Sequence, residues 1–67
     1  MIEYVVRVLT KKFNVGIDTA IYFYYELRNT NRLGDFIRHV EDFKDFEEIK
    51  EYYFKQDPEL REVFEEL

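Results

Sequence analysis

One stretch constrains this chain more than any other: Asn14-Val15-Gly16 followed by Ile17, Ala20, Phe23, Tyr24 and Leu27. Those five apolar residues recur at spacings that place them on one face of an α-helix. Asparagine and glycine both tolerate the left-handed conformation that ends a helix, so the three residues before the pattern read as a tight turn. Asp18 stands where its carboxylate can accept orphan N–H groups of a first turn, which predicts a cap and a helix over about 18–30. Ahead of the turn, Ile2, Val5, Val6, Leu9 and Phe13 share a helical face of their own. The β-branched run Val5-Val6-Arg7-Val8 also suits a short strand, but the chain offers no second strand-like segment to pair with it.

The same periodicity continues downstream. Leu33, Phe36, Ile37 and Val40 predict a third helix over about 33–41, with Asn29-Thr30-Asn31 as the preceding turn and Gly34 as a loose cap. Asp45-Phe46-Glu47-Glu48 resembles a capping box and opens a fourth helix, about 45–55, with Phe46, Ile49 and Tyr53 inward and Phe43 leading into it. In Asp57-Pro58-Glu59 an aspartate caps and proline takes the first helical position, where its missing N–H costs nothing. The fifth helix, about 58–66, then aligns Leu60, Val63, Phe64 and Leu67.

These elements predict an all-α fold, a compact orthogonal bundle of four to five short helices with no sheet. They form a single helical domain over 1–67, with 2–40 as a trihelical unit and 41–67 as an acidic helical extension packing on it. The expected core is Val5, Val6, Leu9, Phe13, Ala20, Phe23, Tyr24, Leu27, Phe36, Ile37, Val40, Phe46, Ile49, Tyr53, Val63 and Phe64. Sixty-seven residues bury a modest core, roughly 60 % of the unfolded surface. Seven phenylalanines and six tyrosines suit that task and argue against a disordered chain.

Chemistry is sparse. Cysteine is absent, which removes disulfides and thiolate metal sites and makes a reducing cytoplasm the expected location. Serine is absent too, so the lone histidine, His39, has no Ser or Cys nucleophile to activate. Asp42 and Asp45 lack the glycine and ligand spacing of a calcium loop, and the two glycines are too isolated to cradle a phosphate. The expectation is a protein that is not an enzyme, with no cofactor, no metal and no small-molecule substrate. Met1-Ile2-Glu3 lacks the basic region of a signal peptide, and no apolar run is long enough for a membrane span.

The net charge of −5 conceals two halves. Residues 1–40 carry six basic and four acidic side chains, whereas residues 41–67 carry four basic and eleven acidic ones. A basic front and an acidic back suit two surfaces with different partners, although an acidic helical face also serves plain solubility. On the second helix, Asp18, Tyr22, Tyr25, Glu26 and Asn29 lie opposite the core face. Tyrosine is enriched at interfaces because its ring buries a large area and keeps a polar tip. Tyr22, Tyr25 and Asn29, with Asn14, Val15 and Gly16 in the turn, are therefore the candidate protein-binding residues. The partner is another protein or a second copy of this chain. Packing of Tyr22 or Tyr25 beneath the later helices is the competing arrangement.

Residues 9–27, from Leu9 through Lys11-Lys12-Phe13-Asn14-Val15-Gly16 to Thr19-Ala20 and Leu27, resemble a bacterial repressor-type helix-turn-helix. The resemblance implies a DNA-binding transcriptional regulator with Lys11, Lys12, Arg28 and Arg32 on phosphates. The chain departs from that pattern where base readers belong, with Tyr22, Tyr25 and Glu26 in their place. Residues 2–40 are similar to the ubiquitin-associated-like three-helix fold. Phe13-Asn14-Val15-Gly16 sits at its recognition loop, and Ala20, Asn31, Phe36 and Ile37 are the matching landmarks. That resemblance implies a protein-binding module, a small regulator, adaptor or inhibitor, without specifying ubiquitin as its ligand. The loop between Leu27 and Leu33 is longer than usual for that fold, and residues 41–67 fall outside it.

Overall fold

The computed structural model describes residues 1–65. Five α-helices follow one another: α1 (Ile2–Lys11), α2 (Ile17–Asn29), α3 (Leu33–His39), α4 (Phe46–Gln56) and α5 (Pro58–Glu65). A single 3₁₀ turn, Val40–Asp42, continues α3. No strand occurs among the described residues, and Val5-Val6-Arg7-Val8 is helical.

Two asparagines shape the chain reversals. Asn14 has φ 58° and Asn31 has φ 61°, both in the left-handed region that asparagine reaches more readily than most residues. Asn14 turns the chain so that the Val15 N–H donates to the Leu9 carbonyl at 3.0 Å, closing the end of α1. Asn31 ends α2: the Arg32 N–H donates to Leu27 O at 2.8 Å and the Asn31 N–H to Arg28 O at 3.2 Å. That pair of bonds is the Schellman motif, with asparagine where glycine is commonest.

Two expected caps are relocated. Gly16, with φ −63° and ψ 150°, is the residue that precedes α2, so Asp18 lies inside the first turn and caps nothing with its side chain. Its charge still suits the positive end of the helix. Arg32 rather than Gly34 precedes α3. Downstream the caps are as expected: Asp45 Oδ1 accepts the Glu48 N–H at 2.9 Å, and Glu48 Oε1 reaches back to the Lys44 N–H at 3.2 Å. Asp57 Oδ1 accepts the Glu59 N–H at 3.1 Å.

The core is one cluster fed by all five helices: Val5, Leu9, Phe13, Ala20, Phe23, Tyr24, Leu27, Phe36, Val40, Ile49, Tyr53 and Leu60. Val6, Ile37, Phe46 and Phe64 are half-buried and pack against it, and Val63 is half-buried. Leu60, aligned with the apolar face of α5 but absent from the expected core, is only 2 % exposed. Ile17 departs most from expectation. It is 62 % exposed, because the first residue of α2 projects past the end of the packed face. Leu67 lies outside the described residues.

Phe23 on α2 is the hub of the aromatic packing. Its ring centroid lies 6.2 Å from Phe36 on α3, 5.4 Å from Phe46 and 6.2 Å from Tyr53 on α4, and 5.1 Å from Phe64 on α5. All four pairs are edge-to-face, the arrangement that ring quadrupoles favour. The α4–α5 segment is thus seated on α2 by rings.

Candidate functional site

The outer face of α2 and the turn before it carry the candidate protein-binding residues. Asn14 and Gly16 are exposed and Val15 is half-buried. A Cβ at Gly16 would meet nothing within 4 Å, so neither sterics nor φ demands glycine there. Asn29 is exposed in the last turn of α2. Tyr25 is 44 % exposed, and its ring is held edge-to-face at 5.2 Å by the buried Tyr24. The set runs along the length of α2, roughly 20 Å at 1.5 Å per residue.

Tyr22 has a different setting. It is half-buried, and Phe64 of α5 meets its ring edge-to-face at 5.3 Å and 85°. The two tyrosines are therefore divided: Tyr25 presents its ring to solvent, whereas Tyr22 is partly covered by the fifth helix. A helical face read one helix at a time does not reveal which neighbour will lie across it.

The basic residues are dispersed. Lys11 and Lys12 are exposed at the end of α1, and the Lys12 ammonium lies 5.6 Å from the Phe13 ring centroid. Arg28 is exposed near the opposite end of α2. Arg32 is engaged within the protein. Its guanidinium donates to Thr30 O at 3.2 Å and Gln56 Oε1 at 3.3 Å, and pairs with Asp57 Oδ2 at 3.5 Å. It ties the α2–α3 turn to the α4–α5 turn and serves as a structural clamp.

A polar chain runs along α3 and was not anticipated from sequence. The buried Tyr53 hydroxyl donates to Asp35 Oδ2 at 3.0 Å. Asp35 Oδ1 lies 3.7 Å from His39 Nε2, and Asp42 Oδ2 lies 3.6 Å from His39 Nδ1. Burial, and then the bond to Asp35, push the Tyr53 hydroxyl well above its ordinary pKa of 10.0. The signal available in sequence was the tyrosine itself, since a buried Tyr hydroxyl ordinarily finds a partner. Its partner, 18 residues earlier on another helix, had no local signature.

No helix among the described residues is long and apolar enough to cross a membrane. Comparison of the chain with known protein families, curated proteins and solved structures finds no match.

Proposed function

We propose that this chain is a small non-enzymatic protein-interaction module, a regulator, adaptor or inhibitor. Its partner docks on the turn Asn14-Val15-Gly16 and the outer edge of α2 bearing Tyr25 and Asn29. The observation that carries this reading is the half-exposed ring of Tyr25, braced by Tyr24. A rigid ring standing in solvent loses little conformational freedom when a partner covers it, and such anchors supply much of an interface's energy.

The arrangement favours protein over DNA. A recognition helix needs an open face, and Phe64 lies over Tyr22 on α2. Arg32 spends its guanidinium on Thr30, Gln56 and Asp57. Asp18 and Glu26, on the same face, repel phosphates.

Affinity capture from a lysate of the native host, with a nuclease-treated parallel sample, tests the reading. A protein retained by wild type after nuclease, and depleted at least about tenfold by Tyr25→Ala, is the expected result. Equal recovery by Tyr25→Ala removes the surface. Loss of the partner on nuclease treatment turns the reading toward nucleic acid. Sedimentation of the purified chain separates a second copy of itself from a foreign partner.

A further inference from the structure

We propose that α5 is a displaceable cover on the partner-facing side of α2, with Phe64 holding a place that a partner's aromatic or large aliphatic side chain takes once α5 opens. The proposal rests on the interaction reading above and supplies its regulation. Phe64 touches both Tyr22 and Phe23 of α2, with ring centroids at 5.3 and 5.1 Å, and Phe54 of α4 at 5.7 Å. It therefore occupies a slot framed by rings, beside the candidate residues of α2.

The hold of α5 on that slot is thin. Over its described residues, Pro58–Glu65, the helix contributes one buried residue, Leu60, with Val63 and Phe64 half-buried. By contrast α2 contributes four buried residues, and α4 contributes Ile49 and Tyr53, the latter bonded to Asp35. The Arg61–Glu65 pair of α5 is exposed and internal to the helix, so it gives no grip on the rest of the molecule. The Asp57 cap holds the start of α5, and Arg32 fixes that end in place. Release thus begins beyond Leu60, at Phe64, with Asp57 as the pivot. A helix this short has little helicity of its own in water, so leaving the slot and melting are one event. Segments with few buried apolar contacts open locally at free energies well below global unfolding.

A cover of this kind sets the affinity of the face beneath it. A partner that needs the slot binds in proportion to the open fraction, so opening of about 1 % weakens its apparent affinity about 100-fold. Tyr25 and Asn29 remain accessible throughout, which gives a partner a first foothold.

Native-state hydrogen exchange of the intact chain tests the opening with no partner present. The expected result is that amides in 61–65 exchange about 100-fold faster than those of Phe23–Leu27, at rates insensitive to low denaturant. If the α5 amides exchange only with global unfolding, the proposal is wrong. In parallel, tetranitromethane labelling read by peptide mapping compares wild type with Phe64→Ala. Phe64→Leu, which keeps apolar volume without the ring, is made alongside in case the alanine variant loses its fold. Tyr22 nitration should rise several-fold with Tyr25 unchanged; equal Tyr22 labelling in a folded variant overturns the cover. These rates do not depend on whether Tyr25 captures a partner, so failure of the cover and failure of the interaction surface read out separately.

Discussion

The Tyr53 hydroxyl, fully buried on α4, donates a 3.0 Å hydrogen bond to the half-buried carboxylate of Asp35 on α3. It is a side-chain bond between α3 and α4, beside the ring contact of Phe36 with Tyr53. Replacing Tyr53 with phenylalanine keeps the ring and removes the bond. Asp35 has access to water and can rehydrate, so the cost should be about 1 kcal/mol. Chemical denaturation at neutral pH gives that difference as a shift in midpoint. A loss of 3 kcal/mol or more would mean that Asp35 cannot recover its lost partner from solvent.

The same bond gives a pH dependence with a definite sign. The folded state raises the Tyr53 pKa above its unfolded value of 10.0. The stabilisation is therefore fully present below pH 10 and is lost as pH rises, because only the unfolded chain releases the proton. The advantage of wild type over Tyr53→Phe should shrink above pH 10 by about 1.4 kcal/mol per pH unit. Parallel thermal melts between pH 9 and 11.5 measure it. Curves that stay equally separated throughout would show that Tyr53 ionises alike in both states.

Phe36 is fully buried and meets the rings of Phe23 and Tyr53. Truncation to alanine leaves a cavity between α2, α3 and α4. It should cost about 3–5 kcal/mol, a large part of a small domain's stability. A Phe36→Ala variant melting within a few degrees of wild type would place the residue outside the core.

The basic side chains should divide by role. Arg32→Ala breaks the clamp between the two turns and should lower stability by about 0.5–1 kcal/mol, a partly exposed ion pair with added hydrogen bonds. Lys11→Ala and Lys12→Ala should stay within about 0.5 kcal/mol of wild type. An anisotropy titration with duplex DNA at low salt completes the comparison. Tight, steeply salt-dependent binding lost in the lysine variants would restore the repressor-like reading.

Gly16 precedes α2 in an extended conformation with open space around its α-carbon. Aspartate fits that backbone, caps the first turn and stiffens the unfolded chain. Gly16→Asp should therefore stabilise by about 0.5–1 kcal/mol. A lower melting temperature would mean that the glycine is required by a contact other than those at its α-carbon. The variant also alters the candidate surface, so stability and partner capture can move in opposite directions.

Helix periodicity was legible because each element repeats large apolar residues at three-and-four spacing, and Phe13, Phe23, Phe36, Ile49 and Tyr53 are buried as that spacing requires. Asp45 and Asp57 were legible because their capping partners lie within three residues. What failed to show depends on distance along the chain. Ile17 has the right phase but sits at a helix end, where no neighbour reaches it. Arg32 reads as a free cation until a turn 25 residues away places Asp57 beside it. Tyr22 and Tyr25 look equivalent on a helical wheel, and the packing of Phe64 on Tyr22 sets them apart. The left-handed turn position after α1 was assigned to either Asn14 or Gly16, and the asparagine holds it.

The ring of Phe23 also provides a spectroscopic reporter. Four aromatic neighbours from α3, α4 and α5 surround it, and the chain has no tryptophan. Ring currents from those neighbours superimpose on its protons, so its proton resonances should lie away from the crowded phenylalanine region. Those frequencies change when any of the three helices shifts against α2. A single assigned side chain would then follow assembly of the bundle during refolding, and motion of α5 alone would appear as exchange broadening at Phe23 while the signals of Val5 and Leu9 stay sharp.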